Sequence, residues 1–286
     1  MKIISVLCLI TFNLMAISAN AGGGWTKEKG KLFMKISEWW TISDQHYTNT
    51  GGIDPNATRS TFNSSIYAEY GLTDRFTGIV YFPFLSRTTL YEQRSATTRE
   101  LISEGDAINS IGDTDLTLKY GLIQGKPIVV SASLILGLPL GNNSGGRDGS
   151  LQTGDGEFNQ MLQIDASTSI KAGNYYPWFS LFTAFNNRTN GYSDEFRFGV
   201  ETGISVKKWI GILRMTGVQS FKNGDNAFNA IGTSIFANNT EYLTFSPELG
   251  YNFSEKVGMS VNYAIALSGR VIFADPAYSV GVYFNL

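Results

Sequence analysis

Outside its first twenty or so residues, the chain has no cysteine, a single histidine (His46) and no apolar run of the roughly 18 residues that a membrane-spanning helix needs. The only cysteine, Cys8, lies inside an apolar N-terminal stretch. Disulfides, thiol catalysis and cysteine metal sites are therefore excluded from the body of the protein. Charge is scarce at 16%, and 22 Lys and Arg against 24 Asp and Glu leave no basic surface for nucleic acid.

The N-terminus reads as a removable leader. Lys2 precedes an apolar run from Ile3 to Ile17, and Ala19-Asn20-Ala21 follows as an A-x-A cleavage pattern. Residues 1–21 are expected to be a secretory signal peptide and residues 22–286 one domain. Removing Lys2 with the leader changes the balance to 21 basic against 24 acidic residues, or −3.

Glycine and aromatic residues are what the sequence does have. There are 31 glycines and 13% aromatics, and the near-zero mean hydropathy of −0.06 fits apolar and polar residues in alternation. The last stretch shows the pattern most clearly. Tyr278, Val280, Val282, Phe284 and Leu286 alternate with Ser279, Gly281, Tyr283 and Asn285. An exposed strand of that kind invites aggregation, unless it closes a barrel whose outside meets lipid. It also resembles the sorting signal of outer-membrane barrels, which usually ends in Phe where this chain has Leu286.

Twelve strands are expected, over 31–43, 61–72, 76–87, 113–122, 127–138, 157–170, 175–187, 194–206, 209–221, 241–253, 256–268 and 276–286. Most are near the roughly 9–11 residues that a tilted strand needs to cross the hydrocarbon layer. Connections after even strands are short, such as Thr73-Asp74-Arg75 and Lys207-Lys208. Those after odd strands are mostly long: 44–60, 88–112, 139–156 and 222–240. Short turns on one side and long loops on the other is the outer-membrane pattern. The expected fold is all-β, a transmembrane antiparallel β-barrel of about twelve strands in the bacterial outer membrane.

Strand phase then sorts side chains. Leu116, Leu118, Tyr120 and Leu122 face one way, and Asp113, Asp115, Thr117 and Lys119 the other. Taken along the chain, Lys35, Glu69, Asp113, Asp115, Lys119, Asp165, Arg197, Glu201, Arg214 and Glu248 are candidate lumen-lining residues. With both signs present, they form either a salt-bridged filling or a ring that selects polar solutes. Four of them precede an inward glycine by two positions: Glu69 and Gly71, Lys119 and Gly121, Glu201 and Gly203, Glu248 and Gly250. Some residues resist the pattern. Glu38 has the outward phase, so a bulge near Ser37 is expected; Pro83 and Pro247 call for bulges too. The strand over 175–187 is apolar on both faces and shows no clear phase.

Loops carry weaker signals. Thr97-Thr98-Arg99-Glu100 has capping-box spacing, so a short helix in 88–112 could fold inward and constrict a pore; a helix over the rim, or none, fits equally. Phe228, Ile231, Ile235 and Phe236 make 222–240 unusually apolar, from strand extension or from a ligand-capturing surface. The Gly- and Asn-rich segment 141–149 matches neither P-loop nor EF-hand spacing and reads as a solvated hairpin loop. An enzyme would need His46 as general base, with Ser60 or Ser64 opposite; a solvated rim histidine is the simpler reading, and no catalytic residue, metal site or cofactor is expected.

Gly112-Asp113-Thr114-Asp115-Leu116-Thr117-Leu118-Lys119-Tyr120, with Glu69-Tyr70-Gly71-Leu72-Thr73-Asp74-Arg75 upstream, resembles the outer-membrane transporters associated with the meta-cleavage pathway of phenol degradation. The resemblance spans most of the barrel through short strand-and-turn patterns. It implies movement of small compounds, hydrophobic or aromatic ones included, and supplies no catalytic residues. The expected function is a channel or transporter for small molecules, with a plugged barrel of structural or surface-interaction role as the alternative. The expected partners are outer-membrane lipid, the barrel assembly machinery and an unspecified small solute.

Overall fold

The computed structural model describes residues 23–224 and 235–286. The leader, with Lys2 and Cys8, and the loop residues Phe228 and Ile231 lie outside the described residues.

Twelve long antiparallel strands form one closed barrel: β1 (Leu32–Tyr47), β2 (Ile53–Gly71), β3 (Phe76–Leu90), β4 (Thr114–Ile123), β5 (Ile128–Leu138), β6 (Asn159–Ser169), β7 (Trp178–Asn187), β8 (Glu195–Val206), β9 (Trp209–Ser220), β10 (Glu241–Asn252), β11 (Val257–Arg270) and β12 (Ala277–Asn285). Each pairs with its sequence neighbours, and β12 pairs with both β11 and β1. Backbone bonds between Leu32 and Leu286, 2.9 and 2.8 Å, finish the seam. Closure leaves no free sheet edge facing lipid, because each strand pairs with a neighbour on both sides.

Large apolar side chains cover the outside. Leu118 is 47% exposed, Leu162 65% and Val200 56%, while inward Thr77, Ser131 and Ser86 are fully buried. Such an inside-out distribution suits lipid, not water. Rings gather near the short turns, with Phe76 on Tyr120 and Trp209 on Tyr251 at 4.8 Å between centroids, as in an interfacial aromatic girdle.

Several irregularities resolve differently from expectation. β1 pairs without a shift from Leu32 to Ser43, and its bulge falls at Ser43/Gln45 instead of near Ser37. Glu38 therefore stays on the outward face, where its carboxylate accepts a 2.7 Å hydrogen bond from Ser64 Oγ. Pro83 does sit at a bulge, opposite Ser64/Ser65. On its other side, pairing with β4 ends at Tyr81, and Asp106–Ser110 takes over from Ser86. At Pro247 the β10–β11 ladder skips from Phe245 to Glu248. The Asn262 amide bridges the gap, donating to Ser246 Oγ and the Pro247 carbonyl at 2.7 and 3.0 Å. In β7, Phe179, Leu181 and Phe185 face out, which fixes the phase that composition left open.

The long-loop end holds the largest differences. β1 and β2 continue as one hairpin to a tight turn at Thr48 and Gly52, so most of 44–60 is strand. Residues 95–100 form a turn, not a helix. Gln93–Arg94 pairs with Leu101–Ser103 in a small hairpin, and residues 96–105 are all exposed. The segment with capping-box spacing does not enter the lumen. Instead the returning arm of 139–156 does: Leu151 and Thr153 are 1% exposed. The solvated-loop reading of 141–149 fits residues 142–144 and 146–148, which are exposed, and not Gly145, which is buried; beyond it, Arg59, Thr88 and Ile111 hold residues 150–153 by hydrogen bonds to Ser150, Gln152 and Thr153.

Candidate functional site

The lumen carries two layers of charge. The inner one crosses the barrel. Lys35 of β1 reaches Glu248 of β10 at 2.9 Å, and Arg214 of β9 binds both Glu248 and Glu201 of β8, the latter at 2.7 Å. The Trp178 indole of β7 donates to the second Glu201 oxygen at 2.8 Å. Signs alternate along this line, so two cations and two carboxylates neutralise each other away from bulk water. The glycines of the recurring pattern make room one step nearer the short turns. A Cβ on Gly203 would lie 2.1 Å from the Trp178 ring.

Beneath that layer, toward the short turns, Phe33, Trp178, Ile210, Ile212 and Tyr283 form a buried cluster, joined by Tyr67 and Trp25. Phe33 stacks on Tyr283 at 6.1 Å and meets Tyr67 edge-on at 6.2 Å. Tyr67 donates to Glu69 at 2.6 Å. A cavity of about 60 Å³ lies between the charges and the rings, lined by Lys35, Arg214, Glu248, Phe33 and Tyr283. That is room for a water or two, not for a ligand.

The outer layer closes the long-loop end. Arg188, 9% exposed, bridges Asp155 at 2.7 Å and Glu195 at 2.8 Å, and stacks on the Tyr192 ring at 4.5 Å. Arg197 takes the other Glu195 oxygen at 2.6 Å. Asp113 sits just before β4, where its two oxygens accept the backbone N–H groups of Gly141 and Asp155 at 2.9 and 2.7 Å. Burial, then the neighbouring Asp155 charge, pushes its pKa up to about 7. Burial and Asp155 raise Glu157 as well.

The ten residues singled out by phase thus fall into separate groups. Lys35, Glu201, Arg214 and Glu248 converge in the inner layer, and Arg197 joins the outer one. Asp115 lies within electrostatic reach of Arg197. Asp113 anchors a loop at the rim. Glu69 of β2, Lys119 of β4 and Asp165 of β6 are buried outside the inner line, bound to Tyr67, the Gly23 carbonyl and Gln163. Sequence reasoning missed Arg188 and Asp155, which lie in loops without a period to read. Glu195 shared the inward phase of Arg197 and could have been included. His46 lies opposite Asp54 and Phe273, whereas Ser60 pairs with Ile42 and Ser64 with Glu38, so no Ser-His pair forms. Among the described residues, no three metal-ligating side chains converge.

Comparison with solved structures places the fold. A COG4313 outer-membrane channel from Pseudomonas putida F1 is 14% identical, with a TM-score of 0.60 over 93% of this chain and 99% of that one. The KdgM porin is 7% identical, TM-score 0.45, over 89% and 99%. The translocator domain of the autotransporter NalP from Neisseria meningitidis is 9% identical, TM-score 0.46, over 94% and 91%. No protein-family model matches the chain. No curated protein matches its sequence. The fold is that of an outer-membrane β-barrel, and the first likeness is to a channel.

Proposed function

We propose that the protein is a narrow, passive outer-membrane channel for small solutes with an aromatic or apolar body and a polar substituent. The observation that carries this reading is the stacking of two chemistries in one lumen. The Lys35–Glu248–Arg214–Glu201 line lies directly against the rings of Phe33, Tyr67, Trp178 and Tyr283. A wholly polar solute gains nothing from the rings, and a wholly apolar one must displace the ion pairs. A phenol-like solute satisfies both layers. An association with phenol breakdown rests on the sequence resemblance alone. In this reading the short turns are periplasmic and the long loops extracellular. Lipid meets the Leu118 face, the assembly machinery recognises β12, and no chemistry is catalysed.

Purified protein in planar bilayers should show small single-channel steps. Proteoliposomes should pass a hydroxylated aromatic faster than a sugar of similar mass. Equal fluxes would remove the aromatic preference. A second reading, a plugged barrel with a surface role, is favoured by the 60 Å³ inner cavity and the buried arm around Leu151; absence of any conductance would select it.

A further inference from the structure

The short-turn end of the barrel carries unpaired positive charge. Arg75, Lys126, Lys171, Lys207, Lys208 and Lys256 put at least one cation in every turn that joins an even strand to the next. Lys31 stands just before β1, at the seam. All seven are exposed, against Glu28, Asp74 and Glu255 as the acidic residues of that end. Among the described residues, none of the seven forms an ion pair. The long-loop end differs. There Arg94 pairs with Glu92, Arg147 with Glu104, Arg188 with Asp155, and both Lys222 and Arg270 with Glu241. Most cations of that end are answered within the chain; those of the short turns are left to their surroundings.

What surrounds them follows from their height. Arg75 adjoins Phe76, Lys171 adjoins Ile170, Lys208 adjoins Trp209, and Lys126 lies two residues before Ile128, all of them exposed apolar residues. The turns are too short to carry these cations away from the aromatic girdle of Phe76, Tyr120, Trp209 and Tyr251, whose rings sit at headgroup level. A lysine there lays its stem along lipid and its ammonium among headgroups. The turns also follow one another right round the closed wall. With strands about 4.8 Å apart, successive turns are roughly 10 Å apart, close to a Debye length, so a phosphate between two of them feels both. Lys207 adds a local sign of selection: its φ is +55°, a conformation for which a tight hairpin favours glycine or asparagine. The turn keeps a charge there despite the strain. We propose that the short turns form a basic collar that binds the headgroups of anionic phospholipids and so sets the depth of the barrel in that leaflet. A protein partner would meet one side of the rim; a lipid leaflet meets its whole circumference.

Naming that leaflet periplasmic rests on the reading above; the binding of headgroups does not, and its test needs no conductance. Spin-labelled lipids report which headgroup the barrel surface holds. In phosphatidylcholine vesicles at about 0.05 M salt, the protein should retain spin-labelled phosphatidylglycerol at least roughly threefold more than spin-labelled phosphatidylcholine, and in about 1 M salt the ratio should approach one. Lys171→Gln, Lys207→Gly, Lys208→Gln and Lys256→Gln combined should remove most of the preference, Lys207→Gly being the change that its backbone accepts best. Arginine at the same four positions should keep it. Neutralising the long-loop end through Arg94→Gln and Arg99→Gln should leave it unchanged. A ratio near one in the parent overturns the collar, as does a preference that survives the four neutral substitutions in a heat-modifiable barrel. If those substitutions shift the reversal potential and not the lipid ratio, the charges serve the pore mouth and the collar is wrong. A preference lost on neutralisation in a protein that never conducts leaves the collar standing and rejects the channel.

Discussion

Lys35 and Glu248 are three ladder steps apart around the wall, on β1 and β10, yet their charged atoms meet at 2.9 Å. Such a chord across the lumen makes Glu248 a hub, because its other oxygen holds Arg214. Glu248→Gln leaves two cations with Glu201 as their remaining carboxylate in this line. It should cost on the order of 3 kcal/mol, as breaking a buried pair does. Lys35→Met should cost less, since Arg214 still neutralises Glu248. Urea titration in lipid would rank the two, and the reversal potential of Glu248→Gln should shift toward anions. Equal losses would deny Glu248 its central place.

The face assignment of β4 can be tested at adjacent residues. Leu118 is outward and Thr117 inward between buried Lys119 and half-buried Asp115. Leu118→Arg should cost about 2–4 kcal/mol near the midplane of the lipid layer. Thr117→Arg should be much milder, because it enters a lumen that already carries charge. Similar shifts in a denaturant titration would contradict the phase.

The rim should respond to pH through Asp113. Its pKa in the fold is about 7 against an ordinary 3.8, raised by burial and then by Asp155. Between those values the unfolded chain releases its proton first, so rim stability is fully present below about 4. It falls as pH rises and levels off above about 7. Glu157 shifts in the same direction. Hydrogen exchange at the Gly141 and Asp155 amides should therefore be faster at pH 8 than the intrinsic rate alone predicts from pH 5. Asp113→Asn should flatten much of that difference. A profile unchanged by the substitution would remove Asp113 as its source.

Loop shortening should discriminate between the exposed hairpin and the buried arm. Replacing residues 96–103 by a short Gly-Ser linker should leave conductance unchanged, since all of them are exposed and the strand Asp106–Ser110 that pairs with β3 stays in place. Removing residues 143–152 withdraws Leu151 and should raise it. The reverse order would mean that residues 96–103 bend inward in the membrane.

Period-two alternation is a local property, and whatever depended on it was legible in the sequence. The twelve strands, the outward phase of Leu118 and Tyr278, and the inward phase of Lys35, Arg214 and Glu248 all follow from which neighbours a pleated strand gives each side chain. The sorting of short turns from long loops was legible for the same reason. Glu38 was less so: the expected bulge assumed that a carboxylate cannot stay outward, and only the pairing of β1 with β2 brings Ser64 beside it.

Contacts between residues far apart in the chain were decided by closure of the barrel. Lys35 meets Glu248, Trp25 packs on the cluster that Phe33, Trp178, Ile210, Ile212 and Tyr283 form, and Arg188 meets Asp155, because a closed wall brings non-adjacent strands and their loops within reach. Loop and N-terminal segments have no period to announce which way they fold. The exposed turn after Ser95 and the buried arm at Leu151 look alike in composition. Their difference lies in what each meets: for Ser150 and Thr153 the inward hydrogen-bonding groups of Arg59 and Ile111, for residues 96–105 open solvent. Sequence by itself determined the wall, through side-chain alternation; only the tertiary structure decided what fills it, because that depends on the width and chemistry of a space that no single strand contains.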